Sequence, residues 1–182
     1  MTLEEIINGC KKNNLVHQKA LYDIYANQLF NLSLKYCNSF NDAEDNLHDS
    51  FLEIYSNISK YKNRGSFEGW MKKITINKAI SKFKQTIKNY PIENGIFKVM
   101  DEEITLSNLE ISLDSLLQFI QELPNQYRLV FNLYELDDYS HSEIAKLLSI
   151  SEGTSKSNLH KAKAILKNKI LEFNQKQVIN GI

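Results

Sequence analysis

Residues His141 to Ile170 read HSEIAKLLSISEGTSKSNLHKAKAILKNKI, and the fold follows from this stretch. Ser140 or Ser142 can cap a short helix whose inner face is Ile144, Ala145 and Leu148. Ala145 is small where two helices must cross closely. Ile150 plugs the turn, and Ser151 stands ready to cap the next helix, with Glu152 beside its open amides. That second helix, expected from about Gly153 to Phe173, turns Leu159, Ala162, Ile165/Leu166 and Ile170 toward a core. Lys156, His160, Lys163 and Lys167 follow one another at helical spacing on a different face, with Ser157, Lys161 and Ala164 alongside. A basic, hydroxyl-bearing face opposite an apolar one, after a short turn, is what a major-groove recognition helix needs. The competing reading is an ordinary helical hairpin with a lysine-rich solvent face. Small crossing residue, plug, cap and basic face together favour duplex DNA.

Outward from this segment the chain is helical in character. It has 182 residues, 42% of them apolar, with only two prolines and six glycines. That composition excludes a disordered chain and is poor in the turn residues of a sandwich or barrel. The expected fold is all-α: two small helical domains joined by a flexible acidic linker, the second a winged-helix-like helix-turn-helix domain. Their bounds are 1–88, 89–112 and 113–182. Leu3, Ile6 and Ile7 open one amphipathic segment, and Ala20–Tyr36 continues another. Asn41 or Asp42 can cap the next helix, with Ala43, Leu47, Phe51, Ile54 and Tyr55 as its apolar stripe and Leu52 flanking. YKNRGS (Tyr61–Ser66) is turn chemistry, and Ser66 is placed to cap a helix running to about Ile87. Pro91 and Gly95 break the weakly periodic stretch Asn89–Ser112. The second domain opens near Leu113, and Pro124 precedes a helix through Tyr127–Leu136.

The net charge is zero, yet the charges are segregated. Lys60–Lys88 holds nine cations against Glu68, and Gly153 to the end holds six against Glu172. Phe40–Ser59 carries Asp42, Glu44, Asp45, Asp49 and Glu53 with no lysine or arginine, and Pro91–Glu110 is also acidic. Opposed blocks of this kind suit a chain with a polyanionic partner, although each block alone also reads as a solvated helix face. Tyr61, Phe67, Trp70 and Phe83 lie within the first basic block. Unstacked bases use aromatic platforms and duplex DNA does not, so single-stranded bases are the expected ligand there, with Trp70 itself read as core. One module for single strands and one for duplex suggests promoter opening. Cys10 and Cys37 are expected as buried free thiols in a reducing compartment. The acidic N-terminus and the lack of a long apolar run lead to a cytoplasmic protein without membrane insertion.

In this order and spacing the motifs resemble the bacterial RNA polymerase sigma factors of the small, two-domain extracytoplasmic-function (ECF) group of the sigma-70 family. NDAEDNLHDSFLEIY is similar to the acidic helix that docks on the polymerase clamp, SFEGWMKKITINKAISKFK to the promoter-melting helix, and the segment from LPNQYR to KAKAIL to the second-domain pattern. The resemblance implies a sigma factor that binds core RNA polymerase and directs promoter-specific initiation, reading the minus-thirty-five element as duplex and the minus-ten element as melted strand. It implies polymerase contacts (beta-prime clamp and beta flap) from Asp42, Glu44, Asp45, Leu47, His48, Asp49, Phe51 and Leu52. Minus-ten contacts would come from Lys62, Asn63, Arg64, Gly65, Ser66, Trp70, Lys73, Asn77, Lys78 and Lys82, with Lys72 nearby. Minus-thirty-five contacts would come from Ser151, Thr154, Lys156, Ser157, Asn158, His160 and Lys161. It also implies an anti-sigma partner. His48 stands where the family has glutamine, Asn158 where arginine is usual, and Ser155 where valine is usual, the last expected to loosen the packing of its helix.

Two other classes compete. Asp45–His48 and Asp138–His141 are acid–histidine pairs three residues apart, but a di-metal bundle needs two such pairs on helices plus further inward carboxylates. No phosphate loop or catalytic triad is present, so neither enzyme activity nor a metal or cofactor is expected. A stand-alone helix-turn-helix regulator would explain the second domain but leave the acidic helix and the aromatic-basic stretch without a role.

Overall fold

Polar side chains start most helices in the computed structural model of this chain, which describes residues 1–62, 64–89 and 111–180. Thr2 and Glu5 cap α1 (Leu3–Lys11) reciprocally, each amide donating to the other's side chain at 2.8 and 3.2 Å. Asn14 Oδ1 accepts from the amides of Val16 and His17, which starts α2 (Leu15–Tyr36) five residues before the Ala20 expected from periodicity. Neither Asn41 nor Asp42 caps α3 (Phe40–Asn57). Ser39 does, its hydroxyl oxygen accepting from the Asp42 amide at 3.1 Å while the hydroxyl donates to the Asp42 carboxylate at 2.8 Å. A 3-10 turn (Ile58–Lys60) leads into the Tyr61–Ser66 loop. Ser66 then accepts from the Gly69 amide at 3.0 Å and opens α4 (Phe67–Asn89), as its position indicated.

These elements form one unit, Met1–Pro91. α2, α3 and α4 pack on one another, and α1 packs on α2 and the 3-10 turn. Gly9 makes the α1–α2 approach close: a Cβ there would lie 2.1 Å from the His17 ring. Leu21, Leu29, Ile54, Ile58, Met71 and Ile80 are fully buried, and so is Cys10. A polar seam crosses this apolar core. Buried Asn46 donates to Ser33 Oγ at 2.9 Å and to the Thr75 carbonyl at 3.3 Å, and Ser33 donates in turn to the Leu29 carbonyl at 2.8 Å. One residue on α3 thereby holds α2 and α4 in register, because an unpaired amide in that position is costly.

The second unit is Ile92–Ile182. Ser112 caps α5 (Leu113–Gln121), and α6 (Asn125–Phe131) begins directly after Pro124. The buried Arg128 guanidinium donates to the Gln121 carbonyl and side chain, both at 3.0 Å, and to Asn125 Oδ1 at 3.2 Å, tying the end of α5 to the start of α6. The helix expected through Leu136 changes register instead. Asn132–Leu136 is a π turn, with the Asp137 amide donating to the Asn132 carbonyl at 3.1 Å. α7 (His141–Leu148) and α8 (Glu152–Asn180) complete the unit. Ile120, Leu123, Tyr127, Ala162 and Leu166 form one cluster of its core. No strand occurs among the described residues. Residues 90–110, nearly all of the expected linker, lie outside the described residues.

Candidate nucleic-acid interfaces

In the first unit an aromatic stack holds the loop. Phe67 and Trp70 stack at 5.5 Å and 27°, and Tyr61 lies 5.1 Å from Phe67 and 5.5 Å from Trp70. Tyr25 meets the buried Phe67 edge-on from α2. From within this stack the Tyr61 hydroxyl donates to the Gly65 carbonyl at 2.8 Å. Gly65 has φ +82 with open space around it, so backbone conformation and not crowding requires glycine there. Lys62, Arg64, Gly65 and Ser66 are exposed, while Asn63 lies outside the described residues. Trp70 is half-buried as one wall of the stack, close to its reading as core.

The lysines of α4 are mostly engaged. Lys72 pairs with Glu68 at 2.6 Å, Lys78 with Glu53 at 3.2 Å, and Lys82 with both Asp42 and Asp45 at 3.4 Å. Partial burial draws the Lys82 pKa down, but the bonds and charges of Asp45 and Asp42 outweigh it and leave the ammonium above its ordinary value. Hydrogen bonds from Lys72 and Gln28 hold the Glu68 carboxyl below its usual range. Lys62, Arg64 and Lys73 are exposed and make no ion pair among the described residues. Asn77 is half-buried, its Oδ1 without a partner among those residues.

The outer face of α3 carries Glu44, Asp45, His48 and Asp49, all exposed, and Leu52, 66% exposed. Leu47 and Phe51, expected at the polymerase surface, are core residues instead. They are 6% and 3% exposed, and Phe51 lies 4.7 Å from the Tyr22 ring and 5.7 Å from that of Tyr55. Helical period puts both on the stripe of Ala43 and Ile54, whereas Leu52 lies about 100° further round. No cluster of three or more histidine, cysteine or acidic side chains able to hold a metal occurs among the described residues.

In the second unit Ser140 and Glu143 cap α7 reciprocally, Ser149 ends it at φ +58, and the Ile150 amide donates to the Ala145 carbonyl at 3.0 Å. Ser151 Oγ accepts from the Thr154 amide at 2.9 Å and opens α8. Ser151, Thr154, Lys156, Ser157, His160 and Lys161 are exposed, with the Lys161 ammonium 5.8 Å from the Tyr127 ring centroid. Asn158 is a correction. It is 6% exposed and belongs to the inward stripe with Ser155, Leu159, Ala162 and Leu166, so it cannot read a base edge from this position. Its Nδ2 has no partner among the described residues. Lys163 pairs with Glu135 of the π turn at 2.7 Å, and Lys169 pairs with Glu122. Ser155 is fully buried but paired: its hydroxyl and His141 Nδ1 share a 2.9 Å hydrogen bond, with Tyr134 stacked on the imidazole. The loosening expected there is therefore met by a polar contact.

Sequence reasoning missed three positioning features: the Ser33–Asn46–Thr75 seam, the π turn and the His141–Ser155 bond. Serine at an inward helical position followed the stripe and was the one available signal.

Residues 21–87 match the family described as Sigma-70 region 2, and residues 113–166 match Sigma-70, region 4. Together they take in more than half of the chain. The ECF RNA polymerase sigma factor SigW of Bacillus subtilis is 25% identical over 95% of this chain and 99% of that protein. The ECF RNA polymerase sigma-E factor of Haemophilus influenzae is 26% identical over 92% and 93%. In fold the chain is similar to the sigma factor RpoE of Bartonella quintana, solved in complex with the anti-sigma factor NepR. That match has a TM-score of 0.54 at 17% identity and covers 85% of this chain and 96% of that one.

Proposed function

This chain belongs to the ECF group of the sigma-70 family, and we propose that it binds core RNA polymerase and starts transcription at promoters whose two elements it reads in different states. The match of region 2 and region 4 to two separately folded units, in that order, carries the reading. The second unit takes the minus-thirty-five element as duplex. Lys156, Ser157, His160 and Lys161 face the groove, and Ser151, Thr154 and the open amides of α8 meet the backbone. Lysine holds phosphate as a point charge and lacks the bidentate fork of arginine, so the sequence read differs from that of arginine-bearing relatives.

The first unit takes the melted minus-ten strand. The Lys62–Ser66 loop, braced by Tyr61, receives an unstacked base, with Trp70 as platform. Lys62, Arg64 and Lys73 are exposed cations available to its phosphates. Lys78, Lys82 and Asn77 line the same helix, with both lysines already shared with α3. Polymerase docks on Glu44, Asp45, His48, Asp49 and Leu52, with Asp42 behind them; of the three apolar residues expected there, Leu47, Phe51 and Leu52, the exposed Leu52 supplies the contact. The stand-alone regulator leaves this acidic, Leu52-bearing face unexplained. The chain acts in the cytoplasm, as a binding factor and not as an enzyme, and an anti-sigma protein holds it inactive. Among the described residues no helix is long and apolar enough to cross a membrane.

Transcription from a genomic library by core polymerase, with and without this chain, followed by mapping of RNA 5′ ends, tests the proposal. New start sites sharing two upstream elements are expected. No change in start sites, with duplex binding retained, returns the chain to the regulator class.

A further inference from the structure

The proposed function gives no task to His141. It begins α7, Ser155 lies in the first turn of α8, and the two share a hydrogen bond across the helix-turn-helix. Tyr134 stacks on the imidazole with ring centroids 4.4 Å apart and planes at 22°, which restrains the ring's rotation. Tyr134 stands in the π turn, and the next residue of that turn, Glu135, grips α8 again through Lys163. The π turn therefore holds α8 at two points: at Ser155 by way of His141, and at Lys163 directly. Eight residues separate them, ~12 Å along the axis. Lys156, Ser157, His160 and Lys161 all fall between.

We propose that His141 and Ser155, bracketed by Tyr134, are positioning residues that set the angle at which α8 presents its base-facing side chains, and so determine the sequence preference of the second unit. This rests on the duplex-reading function proposed above. An apolar residue at 155, as the family pattern has, packs without a preferred direction, whereas a hydrogen bond loses strength as it bends. A tilt of ~10° about Ser155 moves a side chain ~9 Å further along the helix by ~1.5 Å, enough to break a base contact made at hydrogen-bond distance.

The test uses the full chain bound to core polymerase and a duplex library with a randomised eight-base-pair block. The readout is the affinity for the duplex most enriched by the unaltered chain, divided by that for a scrambled duplex. Ser155→Ala removes the hydroxyl, and His141→Phe keeps a ring on Tyr134 without the nitrogen. Each should lower the ratio at least fivefold. The double variant should fall no further than twofold beyond either single, because both singles delete one bond. His141→Asn, which restores a polar atom near the Nδ1 position, should return the ratio to within twofold of the unaltered chain. Thermal unfolding separates a purely structural role: variants that melt earlier but keep the ratio overturn the inference, and so do single effects that multiply in the double variant. If the unaltered chain itself enriches no duplex, the duplex-reading function fails first, and the inference with it.

Discussion

α4 and α8 are both lysine-rich, and their lysines do different work. On α4, Lys72, Lys78 and Lys82 are held by carboxylates, three of which, Asp42, Asp45 and Glu53, stand on the neighbouring α3. On α8 the division runs along the helix. Lys163 and Lys169 are paired with Glu135 and Glu122, whereas Lys156 makes no ion pair among the described residues and Lys161 meets only an aromatic face. A run of positive charge is thus not equivalent to a contact surface. Exposed cations outside this pairing include Lys156 and Lys161 at the start of α8 and, in the first unit, Lys62, Arg64 and Lys73. On α3 the same pairing takes up Asp42, Asp45 and Glu53 and leaves Glu44 and Asp49 outside it.

The comparison breaks most readily on the interior. Asn46→Ala removes the buried side chain that bridges α2 and α4, leaving Ser33 and the Thr75 carbonyl without it. It should cost about 2–3 kcal/mol, read from denaturant unfolding followed by fluorescence of Trp70, the single tryptophan of the chain. The free lysines come next. Lys156→Ala with Lys161→Ala should lower the salt slope of duplex binding by about two units and the affinity at 0.15 M salt about 30-fold. Lys62→Ala with Lys73→Ala should lower the single-strand slope by about 1.4 units. Lys78→Ala with Lys82→Ala should change that slope by less than about 0.5. An equal loss in the two pairs would mean the α3 bridges open on binding and would erase the distinction. The three bridges themselves are largely exposed, so losing them together should cost the fold no more than about 1 kcal/mol.

Helix punctuation gives an effect of similar size: Ser151→Ala should destabilise the second unit by about 1 kcal/mol, measured by thermal circular dichroism. The smallest effect is in acid. Hydrogen bonds from Lys169 and Gln118 hold the Glu122 carboxyl below its ordinary value of 4.5. Its contribution is therefore complete above that value and is lost as pH falls through the lowered folded one. Glu122→Gln should flatten the acid limb of the stability curve below pH 4.5 and leave its shape near neutrality unchanged.

Much of this was legible because it is local. Ser66, Ser140 and Ser151 announce their helices within three residues, and the inward stripe of α8 follows its period. Asn158, Leu47 and Phe51 failed as contacts because a motif resemblance assigns neighbours on a sequence, whereas the period puts them on the buried stripe. The bridges from Lys82 were invisible for another reason. They join residues up to 40 positions apart, and the opposed charge of the two blocks hinted at attraction without saying which pairs form. Hydrophobic pattern also cannot register the single extra residue of a π turn, or predict that a buried serine finds a histidine fourteen positions away.

The central claim is that one chain reads one promoter element as duplex and the other as melted strand. Permanganate reactivity of minus-ten thymines, measured beside nuclease protection of the upstream element with the same holoenzyme, tests it most directly. With Lys62→Ala and Arg64→Ala together, protection upstream should persist while thymine reactivity falls at least tenfold. With Lys156→Ala and Lys161→Ala, both signals should fall at limiting protein and recover together at high concentration. Full thymine reactivity in the first pair, or upstream protection lost there as completely as in the second, would contradict the division of labour.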